Sequence, residues 1–316
     1  MTTVHLVTFP ARRSSRWLAA TAVIATAAFV PSLVAVSSNA AVKPTDFANS
    51  ATSASHYTSA DPSTASLIKR LDSVPAAKRP TIVLVHGAWA DTSSWDGEMK
   101  ILMAAGYQVR AIPNPLENLT TDSETVADFL KSIHGPIVLV GHSYGGAVIT
   151  NAATGNPNVK ALVYVDASAP APGETNGSLS GAGSILNKDT PSQLFTDVSL
   201  PNAPEGTEEL YLNENIFVHN FANDLPVAEA EQLWASQRGA STAAFDTPSK
   251  TAAWKTIPSW YFISTGDQII TPSSELAMAK RAHSKITIFH GGSHLTLISH
   301  PNAVTSTIAS AIVAVS

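Results

Sequence analysis

The feature that most constrains the fold is a glycine-rich turn, Gly141-His142-Ser143-Tyr144-Gly145-Gly146. It lies between an apolar, β-branched run (IVLV, 137–140) and a helical pattern. Glycine two residues before and two residues after a serine relieves the crowding of a tight strand-to-helix turn. A serine at the start of a helix also lies beside free N–H groups and a partial positive charge, which stabilise a developing oxyanion. The turn therefore predicts Ser143 as a nucleophile, and the alternative is a chance glycine-rich turn.

Short apolar runs alternate with helical patterns from residue 81 onward. Strands are predicted at 81–85, 107–112, 137–140, 161–165, 259–263 and 286–289, and helices at 94–104, 122–133, 144–154, 273–281 and 301–315. Short continuous apolar runs are typical of strands that are buried on both faces. Their alternation with helices implies right-handed βαβ units. We therefore expect an α/β fold with a mostly parallel, doubly wound sheet of about six strands.

One long interval, 168–258, separates the fourth and fifth predicted strands. A structureless loop of that length is uncommon inside a compact domain. Patterns at 206–217 and 226–238 bring apolar residues to helical spacings. The interval is therefore predicted to be an inserted helical cap over the sheet, within an α/β domain that spans 81–316.

The first forty residues have the pattern of a signal peptide. Three arginines and no acid accompany an apolar run at 17–36, and small residues at 38 and 40 favour cleavage near Ala40. One alternative is an uncleaved anchor, since the run approaches the length that crosses a bilayer. An Arg-Arg pair at 12–13 leaves the twin-arginine route open beside the general one. We expect a secreted or periplasmic protein that keeps no stable membrane anchor after cleavage.

The rest of the chain is acidic and lacks cysteine. Removing residues 1–40 takes away three arginines and no acid, which leaves 16 basic and 24 acidic residues and a net charge of −8. Such a chain offers no basic surface for phosphates, so nucleic acid is not an expected partner. The lack of cysteine excludes thiol nucleophiles, thiolate zinc sites and disulfides. Residues 41–80, rich in Ser, Thr and Ala, are predicted to be a tether with at most a short helix near 66–71.

A second motif, His86-Gly87-Ala88-Trp89, follows the first predicted strand. An oxyanion hole needs N–H donors from two segments, the residue after the nucleophile and the loop after an earlier strand. By position, the N–H groups of Ala88 and Tyr144 meet this need. His86 is expected to shape the loop rather than to transfer a proton.

Candidates for the base and the acid follow the later strands. A serine hydroxyl is a weak nucleophile, and histidine has a pKa suited to act as its base near neutrality. Of ten histidines, His294 lies in the loop after the last predicted strand, from which it can reach Ser143. Asp267, after the fifth strand, fits the chain order serine, acid, histidine. Asp166, after the fourth strand, is the alternative acid, and either aspartate could instead cap a turn or a helix.

The segments LVHGAW, GHSYGG, STGDQIITP and GGSHLTLISHP resemble the α/β-hydrolase fold superfamily over about 81–316. Within it the chain is similar to the small capped serine esterases, which include plant methylesterases, hydroxynitrile lyases and bacterial relatives. The resemblance implies a nucleophile, a base, an acid and two oxyanion donors at Ser143, His294, Asp267, Ala88 and Tyr144. In two respects the chain departs from the family. The two leading strands of the full fold are absent or hidden in the tether, and the cap matches no single substrate class.

We therefore expect a secreted serine hydrolase that cleaves small carboxylic esters through an acyl-enzyme on Ser143, with neither a metal nor an organic cofactor. Aromatic residues predict an enclosed apolar pocket lined by Trp89, Phe217 and Trp234. The triad of Ser143, His294 and Asp267 could instead catalyse lactone or carbon–carbon hydrolysis, cyanohydrin cleavage or cofactor-free perhydrolysis. Alternatively, the protein could be a ligand receptor that retains a slow or inactive triad. The sequence does not determine the oligomeric state.

Overall fold

The computed structural model of the protein describes residues 56–58, 61–201, 203–204 and 206–316. The predicted signal peptide at 1–40 and the first part of the predicted tether lie outside these residues, so export stays a prediction. In the described part of the chain, no helix combines the length and the apolar character needed to cross a bilayer.

A seven-stranded parallel sheet forms the centre of the domain. The described residues form ten strands: β1 (His56–Thr58), β2 (Thr81–Val85), β3 (Val109–Ile112), β4 (Ile137–Ser143), β5 (Val159–Ala167), β6 (Phe195–Ser199), β7 (Glu208–Leu212), β8 (Ala240–Ser241), β9 (Ser259–Ser264) and β10 (Lys285–Phe289). The central sheet has the order β1-β10-β9-β5-β4-β2-β3, with every neighbouring pair parallel. All six strands predicted for the central sheet are confirmed, and β1 is a seventh strand that the sequence analysis did not predict.

Helices flank the sheet and also build the cap. They are α1 (Thr64–Asp72), α2 (Asp96–Ala104), α3 (Leu119–Lys131), α4 (Tyr144–Ala152), α5 (Pro191–Leu194), α6 (Glu214–Ile216), a π-helical turn (Phe217–Phe221), α7 (Val227–Ala235), α8 (Thr242–Asp246), α9 (Pro272–Arg281), α10 (Thr296–Ser299) and α11 (Pro301–Val315). α1 and α2 pack against α11, which covers β5 and β9, while α3 packs against α4. The strands that carry the apolar runs are thereby buried, as β4 is along its whole length.

The chain reverses direction across the sheet at β2. It passes from β2 to β3 at one edge and then returns to β4 on the other side of β2. In a doubly wound sheet, such a switch point leaves a crevice at the carboxyl ends of the strands, where ligands bind. The loops that follow β2, β4, β5, β9 and β10 all begin at this edge.

The prediction of a tether over 41–80 is wrong for its second half. β1 pairs with β10, and α1 buries Leu67 and Leu71. The guanidinium of Arg70 donates a hydrogen bond to Ser310 Oγ of α11 at 3.0 Å. Apolar contacts that are distant in sequence therefore order a segment whose composition alone favours disorder, and its helix is the one predicted near 66–71.

The cap between β5 and β9 contains a small sheet as well as helices. β6, β7 and β8 form a three-stranded antiparallel sheet. The prediction of a helix at 206–217 is wrong over β7, whereas the helix predicted at 226–238 corresponds to α7. Pairing with β6 satisfies the backbone groups of β7, and this long-range contact overrides the local spacing of apolar residues.

Candidate active site

Ser143 ends β4 in a strained backbone conformation. Its φ is 53° and its ψ is −126°, in the region of positive φ that a residue with a side chain rarely adopts. A Cβ at Gly141 would lie 2.6 Å from the carbonyl oxygen of Gly145, and a Cβ at Gly145 would lie 2.4 Å from the carbonyl oxygen of Val85. Gly141 is therefore needed for the tightness of the turn itself, and Gly145 for the close approach of the turn to the end of β2.

The loop after β2 runs directly beside Ser143. A Cβ at Gly87 would lie 2.5 Å from the Ser143 Cβ, so only glycine permits the contact. Ala88 follows Gly87 and is buried. Tyr144 is the first residue of α4, so its N–H has no acceptor within the helix. The structure thus brings the segments of both predicted oxyanion donors to the nucleophile.

Replacing Gly87 by alanine is expected to lower kcat about 100-fold, because the new methyl group displaces the loop from Ser143 and misplaces the Ala88 N–H. Initial-rate kinetics on an activated ester measure the effect. The matched control is Gly183→Ala, whose Cβ would meet only the methyl group of Thr271, at 3.3 Å. If Gly87→Ala were as active as the control, the position of the loop after β2 would not matter for catalysis.

Ser143, His294 and Asp267 form a continuous hydrogen-bonded chain. His294 Nε2 lies 2.7 Å from Ser143 Oγ, and His294 Nδ1 lies 2.6 Å from Asp267 Oδ2. Asp267 Oδ1 accepts hydrogen bonds from the N–H groups of Ile269 and Ile270 at 2.7 and 3.1 Å. All three chain members are buried, and Ser143 is 6% exposed.

The electrostatics of this chain favour a neutral imidazole. Burial lowers the pKa of His294 to about 3, so the ring is uncharged near neutrality. With Asp267 accepting from Nδ1–H, the lone pair lies on Nε2 and faces the hydroxyl of Ser143. Burial raises the pKa of Asp267, and the N–H groups of Ile269 and Ile270 oppose that rise. The arrangement can move a proton from Ser143 to His294.

The rings of His142 and Phe221 lie against His294, and His142 also hydrogen-bonds to its backbone. His142 Nε2–H donates to the carbonyl oxygen of His294 at 2.8 Å, and the two rings lie 4.8 Å apart. On the cap side, the ring of Phe221 lies 5.1 Å from that of His294. The sequence analysis assigned neither residue a contact with His294, although His142 lies in the glycine-rich turn and Phe221 is one of the cap aromatics.

His86 holds the loop after β2 in place. Its Nδ1–H donates to the carbonyl oxygen of Gly87 at 2.8 Å, and its Nε2 accepts from the N–H of Asn114 at 2.9 Å. Arg238 of the cap donates to the carbonyl oxygen of Asn114 at 2.9 Å. Burial lowers the pKa of His86 to about 4, so the ring stays neutral. These contacts agree with the prediction that His86 shapes the loop.

The structure separates the two candidate acids. Asp166, at the end of β5, accepts the N–H of Ser264 and shares a second hydrogen bond with its hydroxyl, whereas Asp267 contacts His294. Glu275 of α9, which the sequence analysis missed, completes a buried carboxyl cluster with both aspartates. One oxygen from each of these three residues lies within 4.8 Å of the others, the only such metal-compatible grouping in the described part of the chain.

Trp89 lies between two cavities beside the site. Its indole stacks with the rings of Phe195 and Phe245, at centroid distances of 5.7 and 5.2 Å. A cavity of about 340 Å³ is lined by these three rings. A second cavity of about 30 Å³ is lined by Trp89, Phe217 and Leu295, the neighbour of His294. Two of the three predicted pocket residues therefore line space near the nucleophile.

Trp234, the third predicted pocket residue, lies elsewhere in the cap. Its indole N–H donates to the carbonyl oxygen of Leu212 at 3.0 Å and so joins α7 to β7. It lines neither of the two cavities beside Trp89. Trp234 therefore joins two elements of the cap and does not line the space beside Trp89.

Comparison with known proteins gives consistent matches. A family model described as "Alpha/beta hydrolase family" matches residues 82–307. The chain is similar to a pyrethroid hydrolase of Sphingobium wenxiniae, with 29% identity over 246 residues that cover 72% of this chain and 86% of that protein. It is also similar to a carbendazim hydrolyzing esterase of Nocardioides sp., with 32% identity over 106 residues, 29% of this chain and 44% of that protein. The crystal structure of polyneuridine aldehyde esterase superposes with a TM-score of 0.60 at 18% identity, covering 72% of this chain and 97% of that one.

Proposed function

The chain belongs to the alpha/beta hydrolase family, and we propose that it cleaves small carboxylic esters through an acyl-enzyme on Ser143. The observation that carries this proposal is the hydrogen-bonded chain from Asp267 through His294 to Ser143, which ends beside the loop of Gly87 and Ala88. Acyl transfer requires a nucleophile, a base in contact with it and a group that orients the base. The names of the two sequence relatives, a hydrolase and an esterase, support the same reaction class.

In the first half of the proposed reaction, Ser143 Oγ attacks the ester carbonyl carbon and its proton passes to His294 Nε2. The N–H groups of Ala88 and Tyr144 bind the oxyanion of the tetrahedral intermediate. His294 then donates the proton to the leaving alcohol, and the acyl group remains on Ser143. In the second half, His294 deprotonates a water molecule that attacks the acyl carbonyl, and the acid leaves as Ser143 regains its proton.

The substrates are small esters with a flat or apolar group. The cavity of about 340 Å³ beside Trp89 is lined by three aromatic rings together with polar residues, and it is of the size that binds small molecules. Ser143 is 6% exposed and lines neither cavity, so entry of a substrate requires the cap to shift or the ring of Trp89 to turn. Long triglycerides and polymers would not reach a nucleophile that is buried in this way.

A panel of substrates tests the proposal. We expect the protein to hydrolyse short p-nitrophenyl esters of aliphatic and aromatic acids, and to turn over long-chain esters far more slowly because Ser143 is buried beside the cap. Lactones and mandelonitrile in the same panel distinguish the other reactions of such a triad. Turnover of mandelonitrile without any ester hydrolysis would contradict the proposal, as would binding of these compounds without turnover, which is the behaviour of a receptor.

A further inference from the structure

Asp166 begins a second hydrogen-bonded chain that reaches the loop carrying His294. Its Oδ2 lies 2.9 Å from Ser264 Oγ, which lies 2.7 Å from Thr296 Oγ1. Thr296 Oγ1 lies 2.6 Å from the carbonyl oxygen of Ser293. The other oxygen of Asp166 accepts the N–H of Ser264 at 2.7 Å. The chain therefore contains four oxygens and three short contacts.

Each of these contacts needs one proton, because two oxygens at such distances repel unless a hydrogen lies between them. The hydroxyls of Ser264 and Thr296 supply one proton each, and the carbonyl of Ser293 supplies none. The third proton must come from the carboxyl group. We infer that Asp166 is a neutral carboxylic acid whose Oδ2–H donates to Ser264 Oγ, and that it acts as a positioning residue for the His294 loop.

The surrounding charges support this protonation state. Asp166 lies in the carboxyl cluster with Asp267 and Glu275, and three buried carboxylates at this separation cannot all be ionised. Asp267 accepts three N–H donors, from Ile269, Ile270 and His294, whereas Asp166 accepts one. The negative charge is therefore better stabilised on Asp267. Burial, followed by the charge of Asp267, raises the pKa of Asp166.

The neutral acid has two consequences for the site. It ties residues 293–296 to the ends of β5 and β9, which holds the His294 ring where it meets Ser143. It also leaves Asp267 as the one carboxylate that faces His294. The consequence for catalysis rests on the proposed ester hydrolysis, whereas the protonation state does not.

Two variants at Asp166 give the kinetic test. Asparagine matches the neutral acid in shape, and its Nδ2–H can donate to Ser264 Oγ while its oxygen accepts the Ser264 N–H. Asp166→Asn should therefore keep the wild-type kcat, whereas Asp166→Ala should lose about 100-fold through misplacement of His294. Equal losses in the two variants would overturn the inference, as would a large loss in Asp166→Asn alone.

An infrared measurement tests the protonation state without any substrate. At neutral pH the wild type should show a carbonyl-stretch band of a protonated carboxylic acid that Asp166→Asn lacks. Glu275→Gln is the control, because burial also raises the pKa of Glu275 and its band must be assigned separately. Absence of a band that belongs to Asp166 would overturn the inference even if the protein hydrolyses esters.

The pH dependence of stability supplies a third readout. Because the folded state holds a proton that the unfolded chain releases above about pH 4, the wild type should lose stability relative to Asp166→Asn as the pH rises. The titratable groups that face Asp166 are Asp267, Glu275, Asp224 and Tyr261, and all of them stay present in both proteins. A wild type that gains stability relative to Asp166→Asn as the pH rises would overturn the inference, as would a wild-type stability that depends on added Ca²⁺ or Mg²⁺.

Discussion

Replacing Ser143 by alanine is expected to lower kcat for ester hydrolysis by about 10⁶, the scale of loss when a triad nucleophile is removed. The hydroxyl oxygen forms the covalent bond, and among the described residues no other side chain lies within hydrogen-bond distance of His294 Nε2. The remaining groups, among them the Ala88 and Tyr144 N–H groups, would still bind the carbonyl oxygen. A small residual rate above the uncatalysed reaction is therefore expected.

The control for this substitution is Ser168→Ala. Ser168 is also buried at the same edge of the sheet, and its N–H donates to the carbonyl oxygen of Ser143 at 3.1 Å. Its hydroxyl has no hydrogen-bond partner among the described residues, so its loss should leave both turnover and folding unchanged. Mass spectrometry after a slow substrate should find the acyl group on wild-type Ser143 and none on Ser143→Ala. Full turnover by Ser143→Ala would exclude the acyl-enzyme on this residue.

Much of the site follows from the sequence because parallel strands end at one edge of a sheet. The motifs after β2, β4 and β10 were identified from glycine spacing and apolar runs, and the βαβ alternation implies that their loops meet. Ser143, Ala88 and His294 were predicted to lie together on this reasoning, and the structure brings them together. The glycines of these motifs are informative because a Cβ at Gly87 or Gly145 has no room.

The choice between Asp267 and Asp166 could not be made from spacing alone. Asp267 follows β9 and Asp166 lies at the end of the neighbouring β5, and both side chains reach the region of His294. The structure distinguishes them by their partners: Asp267 accepts from His294, and Asp166 contacts Ser264. Those partners depend on side-chain directions at the ends of two adjacent strands, which the pattern of apolar residues does not encode.

The cap and the segment before β2 were the weakest parts of the prediction. β7 was expected to be helical because its apolar residues can be fitted to helical spacing, yet its backbone pairs with β6. α1 was placed in a tether because few of its residues are apolar, yet Leu67 and Leu71 suffice to dock it. In both cases contacts between residues far apart in sequence decide the structure.

Replacing Asp267 by asparagine is expected to lower kcat by about 10⁴ while leaving the fold intact. The side-chain amide can keep the contacts with the N–H groups of Ile269 and Ile270 through its oxygen. Its nitrogen, however, would donate to His294 Nδ1, and this moves the ring proton to Nε2. A protonated Nε2 cannot accept the proton of Ser143, so the base is lost although every heavy atom stays in place.

Asp166→Asn is the matched control, since it makes the same chemical change one strand away in the same buried cluster. Steady-state kinetics of the two variants therefore compare the same substitution at two positions, so a difference in kcat reflects the position of the carboxyl group. Thermal unfolding checks that both variants are folded. A severe loss of kcat in Asp166→Asn with a mild one in Asp267→Asn would reassign the acid.

The loss of kcat from Asp267→Asn should also disappear in the Ser143→Ala background, because the effects of residues that act as one unit are not additive. Persistence of the loss there would mean that Asp267 contributes something other than the orientation of His294.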